Sequence, residues 1–187
     1  MENSASTIKR PSNFLITLLR NTKPPFIRKW LLKLCFRKHG VTLQDFFSYN
    51  NDQFFIYKVG GIFIPDESFY WPVSFTLKLA KCKNESLYNY QPKEGDIILD
   101  IGAGLGEETL IYSKLVGKKG KVIAIEANPE VFRILKETIE LNQLKNVDAY
   151  NLAIYKQESM VSLVREGGSY EAVFVKQDTS YKKNSVK

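Results

Sequence analysis

One acidic residue and three closely spaced glycines mark the part of the sequence best suited to hold a ligand. Asp100 lies in an apolar stretch, and Gly102, Gly104 and Gly106 follow it at alternate positions. Glycine lets the backbone adopt positive φ and lets a ligand come close, and a helix that begins after such a bend offers unpaired N–H groups. The pattern indicates a bend that binds a nucleotide-like ligand.

The spacing within this bend argues against two common nucleotide sites. A dinucleotide site of the G-x-G-x-x-G kind needs a glycine at position 107, where Glu107 would instead place a carboxylate beside the pyrophosphate. A phosphate-binding loop needs G-x-x-x-x-G-K followed by Ser or Thr, and neither the bend nor residues 117–121 supply that residue. The sequence therefore disfavours NAD and FAD, and it excludes ATP bound through such a loop.

A second carboxylate follows at the end of the next predicted strand, residues 121–125. Glu126 lies 20 residues beyond Gly106, at the position of a ribose-binding acid whose two oxygens accept hydrogen bonds from both sugar hydroxyls. Asn128 is a typical N-cap, and it is followed by proline at the first helical position.

Strands and helices alternate around these residues. Strands are predicted over residues 97–101, 121–125 and 147–152, with one helix over 107–116 and another from 129 that ends at Asn142. This order predicts an α/β fold, with a Rossmann-like parallel sheet and helices on both faces. A helical extension and a small β-hairpin, residues 54–58 and 62–64, precede it.

Residues 95–154 carry Asp-x-Gly-x-Gly-x-Gly, Glu126 and the strand end at Asn151, and they resemble the cofactor-binding half of methyltransferases of the FkbM type. The resemblance implies S-adenosylmethionine as cofactor. It assigns the glycine bend to the methionine and ribose end, Asp100 to ordering that bend and to the methionyl amine, and Glu126 to the ribose. It assigns the adenine to Asn151 and Ala153 at the end of the third strand, with Asn128 after the second strand nearby. The implied cofactor-binding set is Asp100, Gly102, Gly104, Gly106, Glu126, Asn128, Asn151 and Ala153.

The resemblance further implies O-methylation of a hydroxyl on a small molecule or a glycan. No residue is assigned as the general base that such an acceptor needs, and no metal site is predicted. Two alternatives stay open: a non-catalytic cofactor-binding fragment that needs a partner chain, and a nucleic-acid methyltransferase. The second is disfavoured because residues 1–40 hold nine of the 27 basic residues against one acid, which leaves the remainder nearly neutral.

The expected fold is incomplete at its C-terminus. A sheet of this kind needs a fourth strand beside residues 97–101, but only 33 residues follow position 154, and they are typical of a hairpin, 161–164 and 172–175, with a basic tail. We therefore expect a chain cut short, with an apolar strand edge left unpaired unless the strand at 172–175 covers it.

The sequence predicts three parts: a basic helical extension over residues 1–45, a hairpin and helix over 46–94, and a partial S-adenosylmethionine-binding domain over 95–187. In the extension, Ile27, Trp30, Leu31 and Leu34 form an apolar stripe. Docking of this stripe on the catalytic domain is favoured over peripheral membrane contact through residues 26–38. Two isolated cysteines and no secretion signal indicate a cytoplasmic protein, and the oligomeric state is not predicted.

Overall fold

The computed structural model describes residues 13–23, 25–38, 41–67, 75–154, 161–165 and 173–177, the last two ranges by their backbone. The chain forms two compact units, residues 1–91 and 92–187. The elements, in chain order, are α1 (Asn13–Asn21), α2 (Pro25–Lys38), β1 (Leu43–Tyr49), β2 (Phe54–Val59), β3 (Ile62–Asp66), α3 (Phe75–Asn84), β4 (Ile97–Ile101), α4 (Glu107–Val116), β5 (Lys121–Ile125), α5 (Pro129–Leu141), β6 (Val147–Tyr150), β7 (Val161–Arg165) and β8 (Val173–Gln177). None of the described helices is long and apolar enough to cross a membrane.

The first unit packs two helices on a three-stranded antiparallel sheet of order β1-β2-β3. The sequence predicts the hairpin β2-β3 but not strand β1, which pairs along β2 from Leu43 to Tyr49. Aromatic rings hold the two strands together, since Phe46 stacks on Phe55 and lies against Tyr57. The core of this unit consists of Leu19, Leu32, Phe36, Leu43, Phe46, Phe55 and Tyr57.

This shared core spans the first predicted boundary of the chain. Helices α1 and α2 contribute Leu19, Leu32 and Phe36 to the same core as the sheet, and the predicted boundary after residue 45 falls within β1. The described helices of the extension therefore share a core with the sheet, and the division of the chain at residues 45 and 94 stays a prediction. The second boundary lies between residues 91 and 92, close to the predicted one at 94.

Helix α2 docks through a face that coincides only in part with the predicted stripe, of which Ile27 and Leu31 are half-buried and Leu31 packs against the core. Leu32 and Phe36 are buried, whereas Trp30 and Leu34, both members of the predicted stripe, are exposed. The buried face also carries Arg28, whose guanidinium donates to the Asp52 carboxylate at 2.6 Å. Because this partner neutralises a charge at the edge of the core, a face that looks polar in the sequence can be buried.

The second unit is built on a parallel sheet of order β4-β5-β6. Leu99 pairs with Ile123 in the first two strands, and Ile123 pairs with Asp148 in the next. Strands β4 and β5 and helix α4 have the predicted bounds, while β6 ends two residues earlier than predicted. The chain is thus an α/β protein, and the second unit has Rossmann-like connectivity.

Both helices of this parallel sheet lie on one face. Thr109 of α4 donates a hydrogen bond to Asp100 of β4, and Leu135 of α5 packs on Ala124 of β5. Asp100 and Ala124 are paired neighbours in the two strands, so their side chains lie on the same face of the sheet. On the opposite face Ile97, Leu99 and Ile101 are exposed. Helices on that second face do not occur among the described residues of this unit.

Strand β4 is the edge of its sheet among the strands that the structure describes. Its only neighbour there is β5, and strands β7 and β8 pair with each other as an antiparallel hairpin instead of adding to the parallel sheet. The hairpin is confirmed, and the alternative in which its second strand covers β4 is not seen in the described residues.

Candidate cofactor site

The carboxyl end of strand β4 holds a buried acid. The side chain of Asp100 accepts a hydrogen bond from Thr109 Oγ1 at 2.5 Å, and both residues are buried. Burial raises the pKa of the Asp100 carboxyl; the bond from Thr109 acts in the opposite direction, and the charges of Glu108 and Glu126 raise it further. A cationic ligand group would relieve this accumulation of negative charge.

The glycine bend is anchored on the end of strand β5. The backbone N–H groups of Gly102 and Ala103 both donate to the carbonyl oxygen of Ile125, at 2.8 and 3.0 Å. This pair of bonds fixes where the bend leaves the sheet. The bend then leads into α4, whose N-cap Gly106 has φ of 94°.

Two of the glycines, Gly102 and Gly106, differ in how much space surrounds their backbone. At Gly102, with φ of 76°, an added Cβ would contact nothing within 4 Å, so the backbone there faces open space. At Gly106 an added Cβ would lie 2.8 Å from Leu135 Cδ1, because the bend presses against helix α5. The predicted cofactor contact therefore fits Gly102, whereas Gly106 serves close packing between the bend and α5.

Glu126 connects the glycine bend to the start of helix α5. One carboxylate oxygen, Oε2, accepts from the backbone N–H of Gly104 at 3.0 Å, and the other, Oε1, accepts from the backbone N–H of Asn128 at 2.7 Å. Each oxygen keeps one further lone-pair direction for a ligand hydroxyl. The carboxylate lies at the bend, as its proposed role in binding a ribose requires.

Asn128 and Asn151 hold the strand ends in place. Asn128 caps α5 by accepting from the backbone N–H of Glu130 at 3.0 Å. Asn151 donates through Nδ2 to the carbonyl oxygens of Glu126 and Ala127, at 2.8 and 3.1 Å. Asn151 thus holds the backbone at Glu126 and at the residue after it, whereas Asn128 fixes the first turn of α5. Ala153 is half-buried two residues beyond Asn151.

Sequence reasoning missed two threonines that shape the bend. Thr109 orders Asp100, and Thr138 of α5 donates to the carbonyl oxygen of Leu105 at 3.0 Å; both side chains are fully buried. The available signal was the helical spacing of each hydroxyl from apolar residues of the same helix, such as Thr109 from Val116 and Thr138 from Leu135, since a buried hydroxyl requires a partner.

The site suits a ligand that is cationic at one end and carries a ribose. The acids Asp100, Glu108 and Glu126 all lie around the bend, which would repel a pyrophosphate but attract a sulfonium or an ammonium group. The open backbone at Gly102 leaves space for such a group. The residues present therefore fit S-adenosylmethionine.

Comparison with known proteins agrees with this geometry. Residues 73–161 match the TRM5/TYW2 methyltransferase domain. A protein of Sulfurisphaera tokodaii named "Probable cobalt-precorrin-6B C(15)-methyltransferase (decarboxylating)" is 29% identical over 112 residues, which make up 60% of this chain and 56% of that protein. The matched part of the chain has the cofactor-binding fold of class I, S-adenosylmethionine-dependent methyltransferases.

Two further comparisons show how much of this chain and of each similar protein the match covers. A protein-L-isoaspartate O-methyltransferase of Methanococcus maripaludis is 40% identical over 55 residues, 29% of this chain and 26% of that protein. The crystal structure of P. horikoshii TYW2 in complex with MeSAdo shares 26% identity, with a TM-score of 0.39, and the match covers 56% of this chain and 38% of that one. The chain spans about half the length, or less, of the curated relatives it matches.

Proposed function

We propose that residues 95–154 bind S-adenosylmethionine between the glycine bend and Glu126, and that the whole protein transfers its methyl group to an acceptor. The observation that carries this proposal is the position of the Glu126 carboxylate. It accepts hydrogen bonds from the backbone N–H of Gly104 in the bend and from that of Asn128, the N-cap of α5. A carboxylate placed there has both a fixed orientation and spare acceptor capacity for two ribose hydroxyls.

The remaining residues divide into contact and positioning roles. Asp100 accepts the methionyl ammonium, and the open backbone at Gly102 and Gly104 receives the methionine and ribose end. Asn128, Asn151 and Ala153 border the adenine, where the two asparagines act by holding the strand ends. When bound, the cofactor supplies an electrophilic methyl group, and the protein's task is then to exclude water and to orient an acceptor in line with it.

For the acceptor we propose a hydroxyl on a small molecule or a glycan, following the FkbM resemblance. Transfer to a hydroxyl requires a group that removes its proton, and that group lies outside the assigned residues. A nucleic-acid acceptor is the second candidate. The match of residues 73–161 to the TRM5/TYW2 domain favours it. The uneven placement of the basic residues along the chain disfavours it.

The cofactor assignment is tested by isothermal titration calorimetry with S-adenosylmethionine and S-adenosylhomocysteine. We expect Glu126→Gln to weaken binding of both by about tenfold or more, because charge-assisted hydrogen bonds to the ribose are lost. Glu130→Gln is the matched control: it removes one carboxylate from an exposed position four residues away and should leave affinity within about twofold. Undiminished affinity of the Glu126→Gln protein would show the assignment to be wrong.

The acceptor class is tested by following transfer of a labelled methyl group from S-adenosylmethionine. Label incorporated into oligosaccharide or small-molecule hydroxyls supports the first candidate, and label incorporated into a nucleic acid supports the second. Binding of the cofactor with no transfer to either class would instead favour a cofactor-binding subunit that needs a partner chain.

A further inference from the structure

Helices α1 and α2 each leave a row of large apolar side chains exposed. On α2 the row consists of Phe26, Trp30 and Leu34, which are 70%, 59% and 45% exposed and follow one another at intervals of four residues. On α1, Phe14 and Leu18 have the same spacing and are also exposed. Side chains four apart lie on one side of a helix, so each row is continuous. We call the α2 row the apolar ridge.

Cations flank this ridge on α2. At 100° per residue, Arg37 lies almost in line with Trp30, while Lys33 lies beside the row on one side and Lys38 on the other. All three basic side chains are exposed. The face therefore combines apolar side chains at its centre with positive charge at its margin.

Acidic residues of the same unit engage α2 at Arg28, on the side opposite the ridge, and at Lys29, beside it, and the charge of Asp45 also acts on Lys33. Asp52 binds Arg28 at 2.6 Å, and Asp45 forms an ion pair with Lys29. Residues 13–38 contain seven Lys or Arg and no Asp or Glu. The positive charge beside the ridge is consequently not compensated within these two helices.

We propose that the apolar ridge is a docking surface for an anionic lipid bilayer. Helices that lie in a membrane interface bury Trp, Phe and Leu below the headgroups, and their Lys and Arg contact anionic lipids. Tryptophan is enriched at that depth. A nucleic acid would engage Lys33, Arg37 and Lys38 through its phosphates, but it would leave the aliphatic side chains of Leu18 and Leu34 in water. The bilayer accounts for both the charge and the apolar surface.

The first experiment uses the full chain with Trp71→Phe, which makes Trp30 the single tryptophan. We expect co-sedimentation with vesicles of 70% phosphatidylcholine and 30% phosphatidylglycerol, and a shift of Trp30 emission to shorter wavelength. Vesicles of phosphatidylcholine alone should bind at least about tenfold less protein, because the charge contribution is missing. Absence of binding to the anionic vesicles would overturn the proposal.

The second experiment separates the apolar and charged contributions. Phe26→Ser/Trp30→Ser/Leu34→Ser should reduce partitioning by about tenfold or more, whereas Tyr88→Ser/Leu152→Ser/Ile154→Ser, at residues exposed elsewhere, should leave it within about twofold. Lys33→Gln/Arg37→Gln/Lys38→Gln should weaken binding by about tenfold or more. Its control, Lys83→Gln/Lys118→Gln/Lys145→Gln, removes the same charge from other exposed positions.

Three results would overturn the proposal. In the first, each test variant and its control lose vesicle binding equally. In the second, sedimentation velocity shows that the ridge substitutions convert a dimer into a monomer, which would make the ridge a contact between copies of this chain. In the third, Lys33, Arg37 and Lys38 are required for binding an RNA oligomer but not for binding vesicles. The measurements use no methyl donor, so they are independent of the proposed methyl transfer.

Discussion

Single carboxylates hold the candidate site together by accepting bonds from nearby N–H and O–H groups. Glu126 receives two backbone N–H groups, from Gly104 and Asn128, and Asp100 receives the Thr109 hydroxyl. The two acids differ in burial: Asp100 is buried within the unit, and Glu126 is half-buried at its edge. Ionised Asp100 therefore opposes folding while it favours a cationic ligand, and the two effects are separable by experiment.

We predict that Asp100→Asn lowers affinity for S-adenosylmethionine by about tenfold or more, through loss of a charged hydrogen bond. Its effect on stability should depend on pH. The folded-state pKa of Asp100 is raised, so the stability contributed by its protonated form is fully present below the unfolded pKa, about 3.9, and is lost as pH rises through the folded value.

Urea unfolding monitored by circular dichroism between pH 3.5 and 7 checks this prediction. The free energy of unfolding of Asp100→Asn, relative to that of the unsubstituted protein, should increase as pH rises across this range. Glu130→Gln, at an exposed position, serves as control. A relative stability that is constant with pH would contradict the assignment of a raised pKa to Asp100.

Among the elements, helix α2 forms a half-buried ion pair beside the apolar side chains that it contributes to the core. Arg28 reaches Asp52 in the turn between β1 and β2, and Ser48 Oγ donates to the same carboxylate at 2.6 Å. The guanidinium of Arg28 also lies 5.6 Å from the centre of the Phe46 ring. Burial opposes ionisation of Asp52, but the bonds from Ser48 and Arg28 and the charges of Arg28 and Arg20 outweigh it and lower its pKa.

We predict that Asp52→Asn destabilises the first unit by about 2 kcal/mol at pH 7, the usual cost of a lost hydrogen bond to a charged group. Asn is the least disruptive replacement because residue 52 has φ of 63°, which Asn tolerates. Since the folded pKa of Asp52 is lowered, its contribution is present above the unfolded pKa of about 3.9 and disappears as pH falls through the folded value.

Tryptophan fluorescence during urea unfolding measures this effect, because Trp30 and Trp71 both belong to residues 1–91. The unfolding curves of Asp52→Asn and the unsubstituted protein should converge at acidic pH. Asp45→Asn, which breaks the ion pair with Lys29 at a site about one-third exposed, should cost under about 1 kcal/mol. A similar loss for both variants would mean that Asp52 has no special role in seating α2.

At the scale of the whole molecule, the chain consists of two compact units. Residues 1–91 enclose an aromatic core under α1 and α2, and residues 92–187 contain the cofactor site on a parallel sheet. A ligand that binds only the second unit should stabilise that unit selectively.

We predict two unfolding transitions, of which S-adenosylmethionine raises one. At a ligand concentration 100 times its dissociation constant, the second unit should gain about 2.7 kcal/mol. For a unit of this size the gain corresponds to a rise in Tm of about 10 °C or more. Differential scanning calorimetry detects both transitions, and tryptophan fluorescence should report only the one that the ligand leaves unchanged. A single transition that shifts in both signals would contradict independent units.

The amino-acid sequence by itself determined the local features of the cofactor site. Strands β4 and β5, helix α4 and the Asn128 cap of α5 follow the predicted pattern, because glycine conformation, capping and apolar periodicity act within a few residues. The sequence also predicted S-adenosylmethionine as the cofactor. The match to the TRM5/TYW2 domain agrees with that class of methyltransferase, while the FkbM type stays an interpretation.

Only the tertiary structure decided which distant groups meet. The bond from the Gly104 N–H to the Glu126 carboxylate and the bond from the Asn151 amide to the Glu126 carbonyl each join residues more than 20 positions apart. Strand β1 pairs with β2, and Arg28 on the buried side of α2 meets Asp52, 24 positions away. Such choices depend on the energy of partners brought together by folding, which no pattern within one segment encodes.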